Sequence, residues 1–547
     1  MRAGRSILVC DCVCQGGSVD IRIAIQMDDA INQDAWDVVV IGGGVAGAAT
    51  AYRILRKNAA LRVLVVDRGD PPGKKIGEST VEVSTYFLGR TLGLTEYLTR
   101  EHVIKQGLRF WFSNADCQTL EDCSEIGPGY HVNLPAYQVD RTKLDDEILR
   151  RAVAVGAQLL RPARVKQVRL QPGGEQVIDV KVGEATRTLS ARWVVDASGP
   201  ACFLARQEKW IVPNERHPTG SVWARFKGVK NWDDSELRER FPKFSQRCHG
   251  SRNSATNHVM GDGWWSWWIL LASGEMSIGV VYDTRIEKFS ERDGSLEERL
   301  MAMLQTSPVA REMLADAEIV PKSVVYRGNL PYHSKSIAGD GYILVGDAAG
   351  FLDPFYSPGL DWVAFTTSAA LDLITSEAAQ MDPAKSAADI DKRFLQSYHR
   401  WFEAIYEGKY IYKGDFELMR MAFVTDLAGY YFGMVMGIYK KGESEMSKPV
   451  FATAGTTVPF LLIRQYNRRL VKMALDRRRR GVFGRKNNGH AVKILSYTLD
   501  WKLPVRLIWS LRVWLWLEVT EGWRTWFRPV TLAGQDGNAT LQRASDG

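Results

Sequence analysis

Cysteine is scarce. The chain has seven in 547 residues, and Cys117, Cys123, Cys202 and Cys248 are scattered without metal-ligand spacing, which excludes a disulfide scaffold and a zinc framework. Cys10, Cys12 and Cys14 form a close C-x-C-x-C. Tetrahedral metal sites more often use C-x-x-C pairs with a second pair elsewhere, so no metal is expected. Residues 1–26 read instead as an extension outside the fold, with Met27 opening the domain. An export signal is also missing, since Asp11 breaks the apolar stretch from Ile7 to Cys10. A reduced, cytoplasmic protein is expected. The C-terminal apolar run 427–439 has 13 residues, short of the ~20 that span a bilayer, and is expected to wall a substrate chamber. There is no internal repeat and no long low-complexity segment.

What is present is globular in composition, 45% apolar and 24% charged, over a length that calls for two or three modules. The net charge of +8 is unevenly placed. Residues 464–547 carry 17 Lys+Arg against 6 Asp+Glu, a net +11, leaving 54 against 57, or −3, in residues 1–463. Such a tail suits phospholipid, nucleic acid or an acidic protein, and charge alone does not choose among them. Trp501–Trp526 holds six of the eighteen tryptophans. On a helix Trp509, Trp516 and Trp523 form one stripe, with Arg506, Ser510, Thr520 and Glu521 opposite. That stripe is expected to lie on the protein's own body, a dimer mate or the inner face of a membrane.

The chemistry begins at residue 37. Asp37-Val-Val-Val-Ile41 reads as a strand and leads into Gly42-Gly-Gly-Val-Ala-Gly47 and a helix-forming stretch from Ala48 to Lys57. Gly42 permits a tight turn, Gly44 a close approach of backbone to pyrophosphate, and Gly47 close helix–strand packing. A second strand, Arg62–Val66, ends in Asp67, twenty residues after Gly47 and suited to a ribose. This predicts a dinucleotide site without separating FAD from NAD. Tyr342-Ile-Leu-Val345 reads as a further strand before Gly346-Asp-Ala-Ala-Gly350 and Phe351–Asp361. The acid can hold a ribitol hydroxyl, and amides at a helix start can face a flavin edge.

The glycine motif paired with G-D-A-A-G resembles the FAD module of flavoprotein monooxygenases and flavin-dependent halogenases. Asp196-Ala-Ser-Gly199 and Gln138-Val-Asp-Arg141 fit the same resemblance, which implies cofactor contacts at Gly42, Gly44, Val45, Ala46, Gly47, Asp67, Arg68, Arg141, Asp347, Gly350, Gly359 and Leu360. Lys75-Ile-Gly-Glu-Ser-Thr80 is similar to the G-E-S-T of the halogenases, and Lys105 matches the family's essential lysine. Catalytic roles are implied for Lys105, Glu78 and Ser79. In such chemistry reduced flavin and O2 oxidise chloride or bromide to hypohalous acid, and an amine holds that acid for delivery to an electron-rich ring. Without the resemblance, Lys105 would read as a solvated group opening an alternating strand.

Trp265-Ser-Trp267-Trp-Ile269 resembles the W-x-W-x-I-P signature and places Trp265, Trp267 and Ile269 on one strand face as a substrate-channel wall, although aromatic strands are also ordinary sheet core. Three residues depart from the family. Leu270 replaces the signature proline. Ser357-Pro358-Gly359 stands where halide-binding amides are expected, and Pro358 has no N–H. Tyr356 replaces a glutamate of the tryptophan-directed members, so tryptophan is not carried over as substrate; Tyr356 and Ser357 are expected beside the channel.

The expected fold is α/β, α+β overall. A Rossmann-like FAD-binding domain (27–210 and 335–378) with a mostly parallel sheet would enclose an antiparallel substrate sheet (211–334), followed by a helical chamber region (379–470) and a basic Trp-rich tail (471–547). The expected enzyme uses FADH2, O2 and halide on a small or carrier-bound aromatic substrate. A separate NAD(P)H-dependent flavin reductase would serve it, because no second glycine fingerprint is present. An aromatic hydroxylase, an FAD-dependent reductase of unsaturated lipids, and a membrane- or RNA-binding protein with a relict flavin fold are the alternatives. No specific nucleic acid is expected.

Overall fold

The computed structural model describes residues 35–69, 75–134, 136–494 and 502–527; the C-x-C-x-C, Met27 and the expected extension lie outside the described residues. The first β-branched run forms the strand Ala35–Ile41, paired in parallel with Val63–Val66 and with Ala185–Asp196. Tyr342–Leu344 joins Ala185–Asp196, and Gln158–Leu160 joins Val63–Val66, also in parallel. Arg164–Arg169, Gln176–Val182 and Ala338–Gly339 add antiparallel strands to this eight-stranded sheet. Val38, Val39 and Val40 are fully buried, because a parallel sheet is covered on both faces. The helices Val45–Lys57, Arg141–Ala154 and Gly359–Thr375 supply cover.

The register sets up the site. Ile41 pairs with Val66 and Asp196, and Asp196 pairs with Leu344. Motifs three hundred residues apart therefore leave the sheet at one carboxyl edge, where ligands of open α/β sheets bind.

The sheet expected between 211 and 334 reaches beyond that range and is mixed. It has nine strands, taking Leu108–Phe112 and Ser124–Pro128 from the first segment and Ala491–Ile494 from the tail. Thr256–Met260 runs parallel to Leu108–Phe112, and Ala491–Ile494 runs parallel to Ser124–Pro128. Edge amides are covered by whichever segment arrives alongside, and sequence distance does not limit that choice.

Helices follow. Phe416–Tyr430 continues through Tyr431–Val435 into Met436–Lys441, a 26-residue helical stretch whose length and composition would suit a membrane span, with 56% of its most apolar window buried. In sequence the apolar run is bounded by Asp426 before it and Lys440-Lys441 after it. In the fold Asp426 is buried and paired with Lys409, so it does not break the helix, which packs as an inner wall.

The tail also differs from expectation. Arg477, in the helix Thr457–Arg479, is fully buried and bonded to Asp415 at 2.8 Å, Glu417 at 2.6 Å and Glu521. Arg469 grips Glu518 at 2.7 and 2.6 Å. Arg480 and Arg485 bond to Glu521, and Arg485 and Lys486 to Glu417. These five of the seventeen Lys+Arg in residues 464–547 thus pair with buried carboxylates. The helix Lys502–Thr520 turns Ser510, Leu517 and Glu518 inward, followed by Glu521 beyond its end, while Thr520, expected beside them, is exposed. The side chain of Arg506 lies outside the described residues.

Replacing Arg477 with methionine leaves buried Asp415 without its cation and takes one cation each from Glu417 and Glu521, and breaking a buried ion network in this way costs about 3–5 kcal/mol. Denaturant unfolding should show that loss. An Arg477→Met protein as stable as the wild type would mean that the tail is not anchored through this guanidinium.

Candidate functional site

The glycine loop is shaped by steric demand. Gly42 has φ +104°, and a Cβ there would lie 2.6 Å from the Ala197 carbonyl oxygen; one on Gly47 would collide with the Gly42 carbonyl. At Gly44 the nearest atom to a Cβ would be Asp145 Oδ2 at 3.5 Å, so that face of the loop is open. Val45 and Ala46 begin the following helix and are buried. Gly43 N–H donates to Asp67 Oδ2 at 2.8 Å, Gly69 N–H donates to Oδ1 at 2.9 Å, and Arg161 lies 3.1 Å away. Asp67 therefore fixes the loop as well as facing its edge. Arg68 is exposed beside it.

Asp196 is consumed by its own turn, accepting from the Ser198 and Leu204 amides at 2.9 and 2.8 Å. Arg141 donates to the Ile76 carbonyl at 3.1 Å and to Asp145 at 3.0 Å, which fastens the start of the G-E-S-T segment to the glycine loop's neighbour. Asp347 is half-buried in the turn Gly346–Ala348; burial raises its carboxyl pKa, and Arg141 opposes the rise. Gly350 is a packing residue, since a Cβ there would lie 3.1 Å from the Tyr332 carbonyl oxygen. Gly359 and Leu360 open the helix Gly359–Thr375, where the first amides have no intrahelical acceptor. A Cβ on Gly359 would meet nothing within 4 Å. An open loop, a helix start with free donors and an acid on one sheet edge fit an FAD.

Before that helix, Tyr356 and Ser357 have φ of +71° and +60°. Two consecutive non-glycine residues in this region store strain of about 1–3 kcal/mol each. The Ser357 amide is already used, donating to the Pro354 carbonyl at 3.0 Å. With Pro358 lacking an N–H, the donors left for an anion are those of Gly359 and Leu360.

Lys105 is not a solvated residue opening a strand. It ends the short strand Val103–Lys105, paired with Ala136–Gln138, and is only 1% exposed. The following strand, Leu108–Phe112, is buried throughout instead of alternating. Lys105 Nζ donates to Ser79 Oγ at 2.7 Å and to the Thr80 carbonyl at 2.8 Å. Burial lowers its pKa to about 8, against the pull of Glu82 and Asp361. Ser79 also bonds Thr256 Oγ1 at 3.2 Å. Glu78 is buried and ion-paired with Arg225, and burial outweighs that pair to raise its pKa to about 7.

Lys105 borders a cavity whose polar lining includes Glu82, Tyr356, Asp361, Asp426 and Tyr430. Trp265, Trp267 and Ile269 do share one face, but they are absent from this lining. Trp265 stands a layer behind, donating to Tyr410 Oη at 2.9 Å and packing edge-on against Phe355 at 5.0 Å. Trp264 and Trp268 point into the separate core on the sheet's other side. The chamber wall is built instead by Phe423, Leu427, Met434 and Ile463, whose only sequence signal was a helical, aromatic-rich composition. Glu82, Asp361, Lys409 and Asp426 escaped sequence reasoning because no motif sets their spacing.

Residues 37–111 match the model of FAD dependent oxidoreductases, and residues 124–407 match that of tryptophan halogenases. The chain is 29% identical over 376 residues to the flavin-dependent halogenase chlA of Dictyostelium discoideum, covering 62% of this chain and 60% of that protein. It is 27% identical over 376 residues to the flavin-dependent halogenase armH5 of Armillaria mellea, covering 65% and 67%. The match thus spans about three fifths of the length of the first of these relatives. The crystal structure of halogenase PltM in complex with phloroglucinol and FAD shares the fold, with a TM-score of 0.66 at 17% identity over 83% of this chain and 94% of that one. The halogenase match alone spans just over half of the 547 residues, and the chain belongs to the tryptophan halogenase family.

Proposed function

We propose that this protein is an FAD-dependent halogenase of an electron-rich aromatic substrate. The observation that carries the reading is the Lys105 ammonium, buried between the G-E-S-T segment and the cavity and held by Ser79 and Thr80. Bound reduced FAD, with O2, supplies the oxidant that converts halide to hypohalous acid. The loop Gly42–Gly47, Asp67, Arg68, Arg141, Asp347 and Gly350 hold or shape the cofactor site. Gly359 and Leu360, at the helix start, would donate to the flavin edge or to chloride or bromide, in place of the donor that Pro358 lacks. Lys105 binds the hypohalous acid or forms a haloamine, which keeps the electrophile from diffusing. Glu78 and Ser79 fix the segment between the two compartments.

Tyr356 stands in the chamber with its hydroxyl donating to Asp426 Oδ2 at 3.0 Å. A phenol cannot supply the carboxylate of the tryptophan-directed members, and the substrate is a phenol-type aromatic, free or carrier-bound. Reducing equivalents come from a separate NAD(P)H-dependent flavin reductase, since the sequence carries one dinucleotide fingerprint.

A second feature concerns location. The helix Lys502–Thr520 and the residues after it turn Ile508, Trp509, Trp516, Val519, Trp523 and Phe527 outward, Phe527 being 95% exposed. Exposed Arg512 and Arg524 flank them. Indoles and arginines on one outward face suit an anionic lipid interface, and peripheral membrane contact through this face is the reading we adopt.

Lys105→Ala should abolish halogenated product while flavin oxidation and peroxide release persist; unaffected turnover would refute the assigned role. The depressed pKa also has a stability signature. Between pH about 8 and about 10.5 the unfolded chain holds a proton on Lys105 that the folded chain lacks, so stability rises with pH across that window. Below it the buried ammonium costs up to about 3 kcal/mol. Lys105→Met should therefore be the more stable protein at pH 7, with the advantage fading by pH 10 in denaturant titrations. For the membrane contact, full-length protein should float with anionic phospholipid vesicles, and Trp516→Ser/Trp523→Ser should reduce recovery at least several-fold. Equal recovery of the two proteins refutes it, as does a wild type that stays in solution as a dimer by sedimentation.

A further inference from the structure

Two carboxylates in the Lys105 chamber are not used by the halogenation reading. Asp361 Oδ1 accepts from the Ser84 amide at 2.8 Å, and Oδ2 accepts from Tyr430 Oη at 3.2 Å. Glu82 Oε1 accepts from Tyr431 Oη at 2.6 Å. Both are buried, both line the cavity, and both act electrostatically on Lys105. Each carboxylate oxygen can accept a second hydrogen bond.

An independent observation comes from the same cavity. Asp426 Oδ1 is buried without a hydrogen bond of ordinary length, although its other oxygen serves Tyr356 and Lys409 and the Asn467 amide stands near the carboxylate. Buried acceptors are nearly always satisfied, so this orphan marks a place for a donor from a ligand. The chamber thus presents three carboxylates against Lys105 and an already paired Lys409. A carboxylate-bearing substrate would meet a lining of three carboxyl groups and one lysine, whereas a ring bearing hydroxyl groups would meet acceptors.

We propose that Asp361 and Glu82 form the acceptor pair that binds a ring hydroxyl of the substrate, that Asp426 Oδ1 accepts from a second hydroxyl, and that Asp361 takes the first hydroxyl's proton during the reaction. This rests on the halogenation reading for its chemical step but not for its binding step. The ring carbon attacks the halogen of hypohalous acid held at Lys105. The carbon–halogen bond forms, and the oxygen–halogen bond breaks with its electron pair moving to oxygen. That oxygen takes a proton from the Lys105 ammonium and leaves as water. Asp361 accepts the hydroxyl proton as the ring becomes a dienone. The Lys105 amine then removes the ring C–H proton, and Asp361 returns its proton to the ring oxygen. One hydroxyarene and one hypohalous acid give one haloarene and one water, with both residues restored.

The test separates binding from turnover. Calorimetry on the full chain with FAD and without halide compares 1,3-dihydroxybenzene, its dimethyl ether and 3,5-dihydroxybenzoate. Wild type should bind the dihydroxybenzene at least ten-fold tighter than either of the others, because a site built for hydroxyl donors is left unpaired by an ether. In Asp361→Asn that preference over the ether should shrink by roughly five-fold, the difference between a charge-assisted and a neutral hydrogen bond. Halogenation rate should fall ~10²-fold or more. If Asp361→Asn does not fold, Glu82→Gln and the wild-type ligand comparison still decide. Equal binding of diol and ether by wild type overturns the proposal, and so does undiminished preference in folded variants. Preserved diol selectivity without any halogenated product would support the acceptor pair and refute the halogenation reading instead.

Discussion

Parallel pairing of Ala185–Asp196 between Ala35–Ile41 and Tyr342–Leu344 is the constraint on which the site depends. Hydrogen-bond register places Ile41, Asp196 and Leu344 side by side, so the turns that follow them share one edge. Had Tyr342–Leu344 paired elsewhere, Asp347 and the helix start at Gly359 would not face the glycine loop. The glycines then matter for what they exclude: Gly47 admits the helix against the turn, and Gly44 leaves the loop open.

A second constraint is electrical. The chain buries Lys105, Glu82, Asp361, Lys409, Asp426 and Lys413, whose Nζ has no hydrogen-bond partner, in and around a chamber walled largely by aromatic and aliphatic side chains. Burying charges without full pairing costs stability, and burial shifts all six pKa values towards the neutral form. Burial brings Asp361 up to about 7 and Lys105 down to about 8, so these two exchange protons near neutral pH, as the proposed reaction requires. The strained pair Tyr356–Ser357 sits between the chamber, which Tyr356 lines, and the helix start at Gly359, where its cost is offset by the surrounding packing.

The tail adds a structural lesson. Its arginines read as a charge reservoir for an external partner, yet Arg469 and Arg477 clamp Glu518 and Glu521 and so fasten the last helix by its polar side. That clamp is why the tryptophan face looks outward. An amphipathic stripe in sequence specifies two faces but not which one turns inward, since buried ion pairs compete with apolar burial for the same contact.

By itself, the sequence determined the local units. These are the glycine turn, the strands on both sides of it, the G-D-A-A-G turn, and the alternation of Trp265, Trp267 and Ile269. Each is fixed by short-range sterics or by a motif of set spacing. Only the tertiary structure decided what those units touch. It hid Lys105, moved the tryptophans a layer behind the chamber, drew Leu108–Phe112 and Ala491–Ile494 into one sheet, and assembled Glu82, Asp361 and Asp426 from segments far apart in the chain. Burial and long-range pairing are properties of the whole packed chain, whereas periodicity and motif spacing report only on neighbours along the backbone.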